Sequence, residues 1–164
     1  MKNIRFLLIV VLGFTVSFAV AQMPGNDQSW EKLSGLITFN DQIGLSVNNK
    51  QSNNDENIEW MRLVRVYHDG CKLKMDYSII TRPDDLFTCS VSVLKLNSDD
   101  LKLMDISGIP SLKLQLSGDY FSLFDNDGNL TGKTNTLFLR ACYRKSTYDD
   151  LKSAISEVVR ICRE

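Results

Sequence analysis

Four cysteines, one histidine and three Asp-Asp pairs are the residues of this 164-residue chain whose types could do chemistry. Cys71, Cys89, Cys142 and Cys162 contain no Cys-x-x-Cys pair, and His68 is the single histidine, so the spacing gives no zinc site. His68 stands three residues from Cys71 beside a turn, which is no arrangement for a thiol nucleophile and its base. Asp84-Asp85, Asp99-Asp100 and Asp149-Asp150 each fall at a turn or a helix start, where capping explains them. The run Asp125-Asn126-Asp127-Gly128-Asn129 opens like a calcium loop, but Leu130 and Thr136 stand where that loop needs glycine and glutamate. It reads as a hairpin turn. With no glycine-rich phosphate loop or dinucleotide fingerprint either, the chain is expected to be no enzyme and to hold no cofactor or metal.

An even set of cysteines suits two disulfides, provided that the chain reaches an oxidising compartment. The N-terminus supplies that address. Lys2 and Arg5 precede the apolar run Phe6–Leu12, and Ala19-Val20-Ala21 offers a small-x-small cleavage site, the three parts of a secretory signal. The apolar stretch is too short for a span of ~20 residues, and no later stretch approaches that length, so the mature chain is expected to be secreted or periplasmic with no transmembrane segment. Composition fits one ordinary soluble domain: 43% hydrophobic, 24% charged, formal net charge -1. Removing the signal takes away two cations and no anions, so nucleic acid, which attracts basic proteins, is not an expected partner.

The division expected is a signal over 1–21, a lead-in and polar loop over 22–57, and a single β-rich domain with a C-terminal helix over 58–164. In the lead-in, Trp30 and Leu33 suit a short helix, and Leu36–Phe39 suits its end or a first strand. Ile43, Leu45 and Val47 alternate as a short strand. Asn48–Asn57 has no apolar residue and reads as a solvated loop.

Beyond it, Ile58–Tyr67 and Cys71–Ile80 alternate about Asp69-Gly70, a strong hairpin signal that sets Val66 opposite Leu73 and Val64 opposite Met75. Further strands are expected around Phe87–Val93, Leu112–Leu116, Tyr120–Phe124 and Leu137–Tyr143, with a capped turn at Asn97–Asp100. Tyr148, Leu151, Ile155, Val158, Val159 and Cys162 recur at helical spacing, with Ser146 and Thr147 as N-cap candidates. The fold class expected is α+β: an antiparallel β-meander or partly open barrel closed by one C-terminal α-helix.

Distances then trim the disulfides. Pairing Cys71 with Cys89 spans roughly 23 Å along a hairpin, and Cys142 with Cys162 about 22 Å along a helix, far beyond the ~4.4–6.8 Å a bridge tolerates. Of the two remaining connectivities, Cys71–Cys162 with Cys89–Cys142 is favoured, because Cys71 and Cys162 both lie on core-facing stripes.

Asp69-Gly70-Cys71-Lys72-Leu73, the serine-rich strand leading through Leu94-Lys95-Leu96 to Asn97-Ser98-Asp99-Asp100-Leu101, and the closing Arg160-Ile161-Cys162 resemble small secreted bacterial domains of uncharacterised function. The order of strands and one terminal helix also resembles the pleckstrin-homology-like layout. Phosphoinositide binding does not follow from that likeness, since fold does not carry function and Lys72 and Lys74 read as a solvated face. The function expected is surface contact with a protein or cell-envelope component, through Asn48–Asn57 and exposed aromatics such as Trp30. The alternative is a small-molecule or lipid carrier with a pocket lined by Tyr77, Phe87 and Phe124.

Overall fold

The computed structural model describes residues 24–46, 58–106, 108–117, 120–140 and 145–164. The expected signal over 1–21, the Asn-rich loop and Cys142 lie outside the described residues. Two helices, α1 (Pro24–Thr38) and α2 (Lys145–Ile161), accompany nine strands. These are β1 (Gln42–Ser46), β2 (Ile58–Asp69), β3 (Lys72–Ile79), β4 (Arg82–Ser92), β5 (Leu101–Ile106), β6 (Ile109–Gln115), β7 (Phe121–Phe124), β8 (Leu130–Thr134) and β9 (Thr136–Arg140). They form one antiparallel sheet in the order β5-β6-β9-β1-β2-β3-β4-β7-β8, curled into a half-barrel. Only β1 to β4 follow one another as a meander. The chain then crosses between the two ends of the sheet three times, so the half-barrel is the better of the two architectures expected.

β1 pairs with β2 on one side and β9 on the other, and Trp30, Leu33 and Ile37 of α1 are core residues. The domain therefore begins in the segment expected to be a lead-in, and the boundary at Ile58 falls inside the sheet. Leu36–Thr38 is the end of α1, which Asn40 closes by donating its Nδ2 to the Leu36 carbonyl at 3.0 Å. Ser146 and Thr147 lie inside the first turn of α2 rather than before it.

The β2–β3 hairpin turns at Gly70-Cys71, one residue later than expected, so that Val66 faces Met75 and His68 faces Leu73. Gly70 adopts φ +56°, a left-handed conformation that glycine takes without a Cβ clash. A bulge between Leu63 and Arg65 then exposes Val64 to 46%, instead of placing it opposite Met75. The bulge is needed because Met61 and Leu63 must point inward with Val66 despite the odd offset.

Cys71 and Cys162 form a disulfide. Cys89 is a free, fully buried thiol on β4, and Cys142, its expected partner, lies outside the described residues. Short 3-10 turns at Val93–Lys95 and Ser98–Asp100 carry the chain from β4 to β5, the second capped as expected by Asn97, whose Oδ1 accepts the Asp99 amide at 3.1 Å. Among the described residues no helix is long and apolar enough to cross a membrane.

Candidate functional site: the open end of the half-barrel

Alternation along each strand divides the sheet into a concave apolar face and a convex face. The helices fill only part of the concave side. α1 passes from the His68 end of β2, where Trp30 stacks on the His68 ring at 4.4 Å, to Leu63, whose amide donates to the Asp41 carbonyl at 2.9 Å. The chain then turns into β1. Beyond Leu63 the concave face is left to a cavity of about 400 Å³.

Leu45 of β1, Met61 of β2, Tyr77 of β3 and Phe87 of β4 line it from one side, and Leu123 of β7 with Gly132 and Thr134 of β8 from the other. Strands five places apart in the sheet meet across this space, which is what the curl achieves. The Tyr77 and Phe87 rings stack with centroids 5.7 Å apart. Glu59 also borders the cavity, and the exposed end of β2 carries it.

Two buried hydroxyls belong to this lining, Thr134, which donates to the Thr136 carbonyl at 3.0 Å, and Tyr77. The Tyr77 hydroxyl is the one without a partner among the described residues. Tyr77 is 4% exposed, although its hydroxyl oxygen is not among the atoms sealed from solvent without a partner. Burial raises the Tyr77 pKa above the ordinary phenol value, and nearby Cys89 and Glu59 raise it further. The group is thus a neutral hydroxyl with one donor and two acceptor sites to offer. Burial likewise pushes the Cys89 thiol up to about 12, which keeps it protonated and a poor nucleophile at neutral pH.

Of the aromatic residues expected in a pocket, Tyr77 and Phe87 line it and Phe124 does not. Register explains the difference, since Leu123 faces Cys89 while Phe124 faces Thr88 on the convex side. Leu45, Met61 and the β8 residues were missed because β8 is a short polar strand with no apolar alternation to announce it. Trp30, expected as an exposed contact residue, is 4% exposed and belongs to the core.

The other chemical candidates do not converge. His68 sits at the opposite end of β2, with Nδ1 3.3 Å from the Gly70 carbonyl oxygen. Asp125 Oδ1 accepts the amides of Asn129 at 2.8 Å and Asp127 at 3.0 Å, which builds the β7–β8 turn. Those bonds, the Asn129 amide foremost, hold its carboxyl below the usual carboxylate range. Asp85 pairs with Arg82 and Asp99 with Lys152, far apart on the fold. Among the described residues no three His, Cys, Asp or Glu side chains gather as a metal site. No family model, curated protein or solved structure matches the chain.

Proposed function

We propose that this chain is an exported, non-enzymatic domain that holds a small, largely apolar molecule in the open end of its half-barrel. One observation carries the reading: an open cavity of about 400 Å³, walled by Leu45, Met61, Ile79, Phe87 and Leu123, presents the Tyr77 hydroxyl, to which no described residue hydrogen-bonds. Pockets for small ligands are typically ~300–1,000 Å³, mostly apolar, with a few polar groups that fix orientation. The hydroxyl is not sealed from solvent, so a ligand oxygen or nitrogen can take the place of water on it. The disulfide is compatible with an oxidising compartment outside the cytoplasm. The reading of surface contact through exposed aromatics loses its named anchor, because Trp30 is buried.

Gly132 lines the cavity, has ordinary negative-φ backbone, and an added Cβ there meets only Leu123 at 3.6 Å. Gly132→Leu therefore plugs the space. Calorimetric titration of the folded protein with octanoate, decanol, indole and 2-naphthol is expected to find at least one ligand with micromolar affinity. Gly132→Leu is expected to abolish that binding, and Tyr77→Phe to weaken it by about tenfold, the loss of one buried hydrogen bond. Absence of binding by all four, or binding that survives the plug, overturns the reading.

A further inference from the structure

The cavity at the open end of the half-barrel has an electrical sign. Among the described residues two charged ones border it, Glu59 of β2 and Lys133 of β8, and strand register sends their side chains to opposite faces of the sheet. Glu59 pairs with buried Leu45 and stands in phase with Met61 and Leu63, which β2 buries on the concave face. Lys133 pairs with Ser122, one place out of phase with Phe121 and Leu123, whose partners Thr134 and Gly132 line the concave side. Alternation therefore sets the Lys133 ammonium on the convex side, and Glu59 is the charged side chain left to face the cavity.

That carboxylate is unmatched. Glu59 is exposed at the start of β2 and meets no cation at ion-pair distance among the described residues. Inward of it the wall is apolar, through Met61, Ile79 and Phe87, as far as Tyr77. Tyr77 pairs with Leu63, so the levels of Glu59 and Tyr77 are separated by roughly 13 Å along the strand. Burial is the first cause of the raised Tyr77 pKa and Cys89 the second, and Glu59 adds to them, so the field of the carboxylate is felt inside the cavity. The Tyr77 hydroxyl is neutral and sets no opposing charge there.

We propose that the occupant of the cavity is an amphiphilic amine, a protonated amino group on an apolar body, seated with its ammonium beside Glu59 and its body running inward past Met61 towards Tyr77. This assignment rests on the cavity being a ligand site and adds the charge of the ligand. An anionic amphiphile such as a fatty acid would set two like charges together at the mouth, and a neutral one would leave Glu59 unused. A cation gains the attraction of the carboxylate at a point where apolar side chains on one side limit screening by water. The stacked rings of Tyr77 and Phe87, with centroids 5.7 Å apart, offer the apolar body its broadest contact.

The test titrates the full chain by calorimetry at pH 7 with decylamine, decanol and decanoate, which share one chain length and differ in charge. Decylamine is expected to bind about tenfold more tightly than decanoate, with decanol between them. Glu59→Gln is expected to remove that preference and Glu59→Lys to reverse it, while Glu31→Gln at an exposed position of α1 leaves it unchanged. Gly132→Leu, which plugs the space, is expected to abolish decylamine binding, and so separates seating in the cavity from attraction to an acidic surface. Decanol binding that the plug abolishes, with no preference for decylamine or with a preference that Glu59→Gln leaves intact, overturns the proposal and leaves the cavity as a ligand site. Tightest binding by decanoate does the same and would bring the Lys133 ammonium over the mouth. Binding by none of the three, or decylamine binding that survives the plug, overturns both.

Discussion

Cys71 and Cys162 join the β2–β3 turn to the residue that follows α2, with their Cα atoms 5.8 Å apart at a sequence separation of 91. The bond fastens the helix that covers the concave face to the hairpin beneath it. A loop of that length restricts the unfolded chain strongly, so replacing both cysteines by serine is expected to lower unfolding free energy by about 2–4 kcal/mol. Urea denaturation with and without reductant measures it. A loss below the error of the extrapolation would deny the bridge a stabilising role.

Cys89 is expected to resist alkylation by iodoacetamide in the folded protein at pH 8 and to react on unfolding, as read by mass spectrometry of its tryptic peptide. Its pKa is raised by burial from 9 to about 12, so the folded state keeps a proton that the unfolded chain releases. Stability is therefore expected to fall as pH rises from about 9 towards 12, with the raised Tyr77 acting in the same direction. Rapid labelling of the native protein would contradict this, and a tryptic Cys89–Cys142 pair would show that the thiol is oxidised.

Gly44 has no room for a side chain. A Cβ there would stand 2.6 Å from Ile58 Cγ2 and 3.2 Å from both Phe138 Cβ and Trp60 Cε3. Gly44→Ala is expected to destabilise the protein by about 1–3 kcal/mol through overpacking on the convex face. Thermal unfolding monitored by circular dichroism reads the change; a neutral result would mean that Ile58 and Trp60 move aside freely.

Asp76 is 4% exposed and accepts hydrogen bonds from Arg65 Nε, from Thr88 Oγ1 at 2.7 Å and from Tyr67 at 3.3 Å. Asp76→Ala removes the shared acceptor and is expected to cost about 1–3 kcal/mol in chemical denaturation. Thr88→Val is expected to cost less, since it leaves the Arg65 and Tyr67 bonds intact. Equal costs would show that Thr88 is the dominant partner.

At the acid end, Asp125 and Asp69 have pKa values held below the carboxylate reference of 3.8, Asp125 by the Asn129 amide and Asp69 by Lys74. Their stabilising effect is present above about pH 4 and is lost as pH falls through the lowered folded values. Asp125→Asn is expected to reduce the acid sensitivity of unfolding below pH 4, measured as a flatter dependence of the urea midpoint on pH. An unchanged slope would remove Asp125 from the acid response.

Local signals in the sequence were sufficient for local structure. Asp69-Gly70 marked the first hairpin to within one residue, Asn97 marked its capped turn, and the stripe from Tyr148 to Cys162 marked α2 and its bond to Cys71. The strands β5 and β8 escaped notice because edge strands bury little and need no apolar alternation. The bulge at Val64 and the side taken by Phe124 depend on register with partners distant in sequence. The gathering of Arg62, Lys102, Lys113 and Arg140 on the convex side had no local signature at all, since only the pairing of β5, β6, β9, β1 and β2 brings them together.

The strand order also sets when the protein can become whole. β9 inserts between β1 and β6, and Arg140 finds Gln42 at a sequence separation of 98. Without that last strand, β1 to β4 with β7 and β8 form one sheet with a bare edge at β1, and β5 and β6 form a separate ribbon. Long-range pairing of this kind folds on a scale of roughly milliseconds to seconds. A chain shortened ahead of Thr136 keeps both edges open, with unpaired backbone ready to associate with other chains, so completeness of the C-terminal segment guards against aggregation.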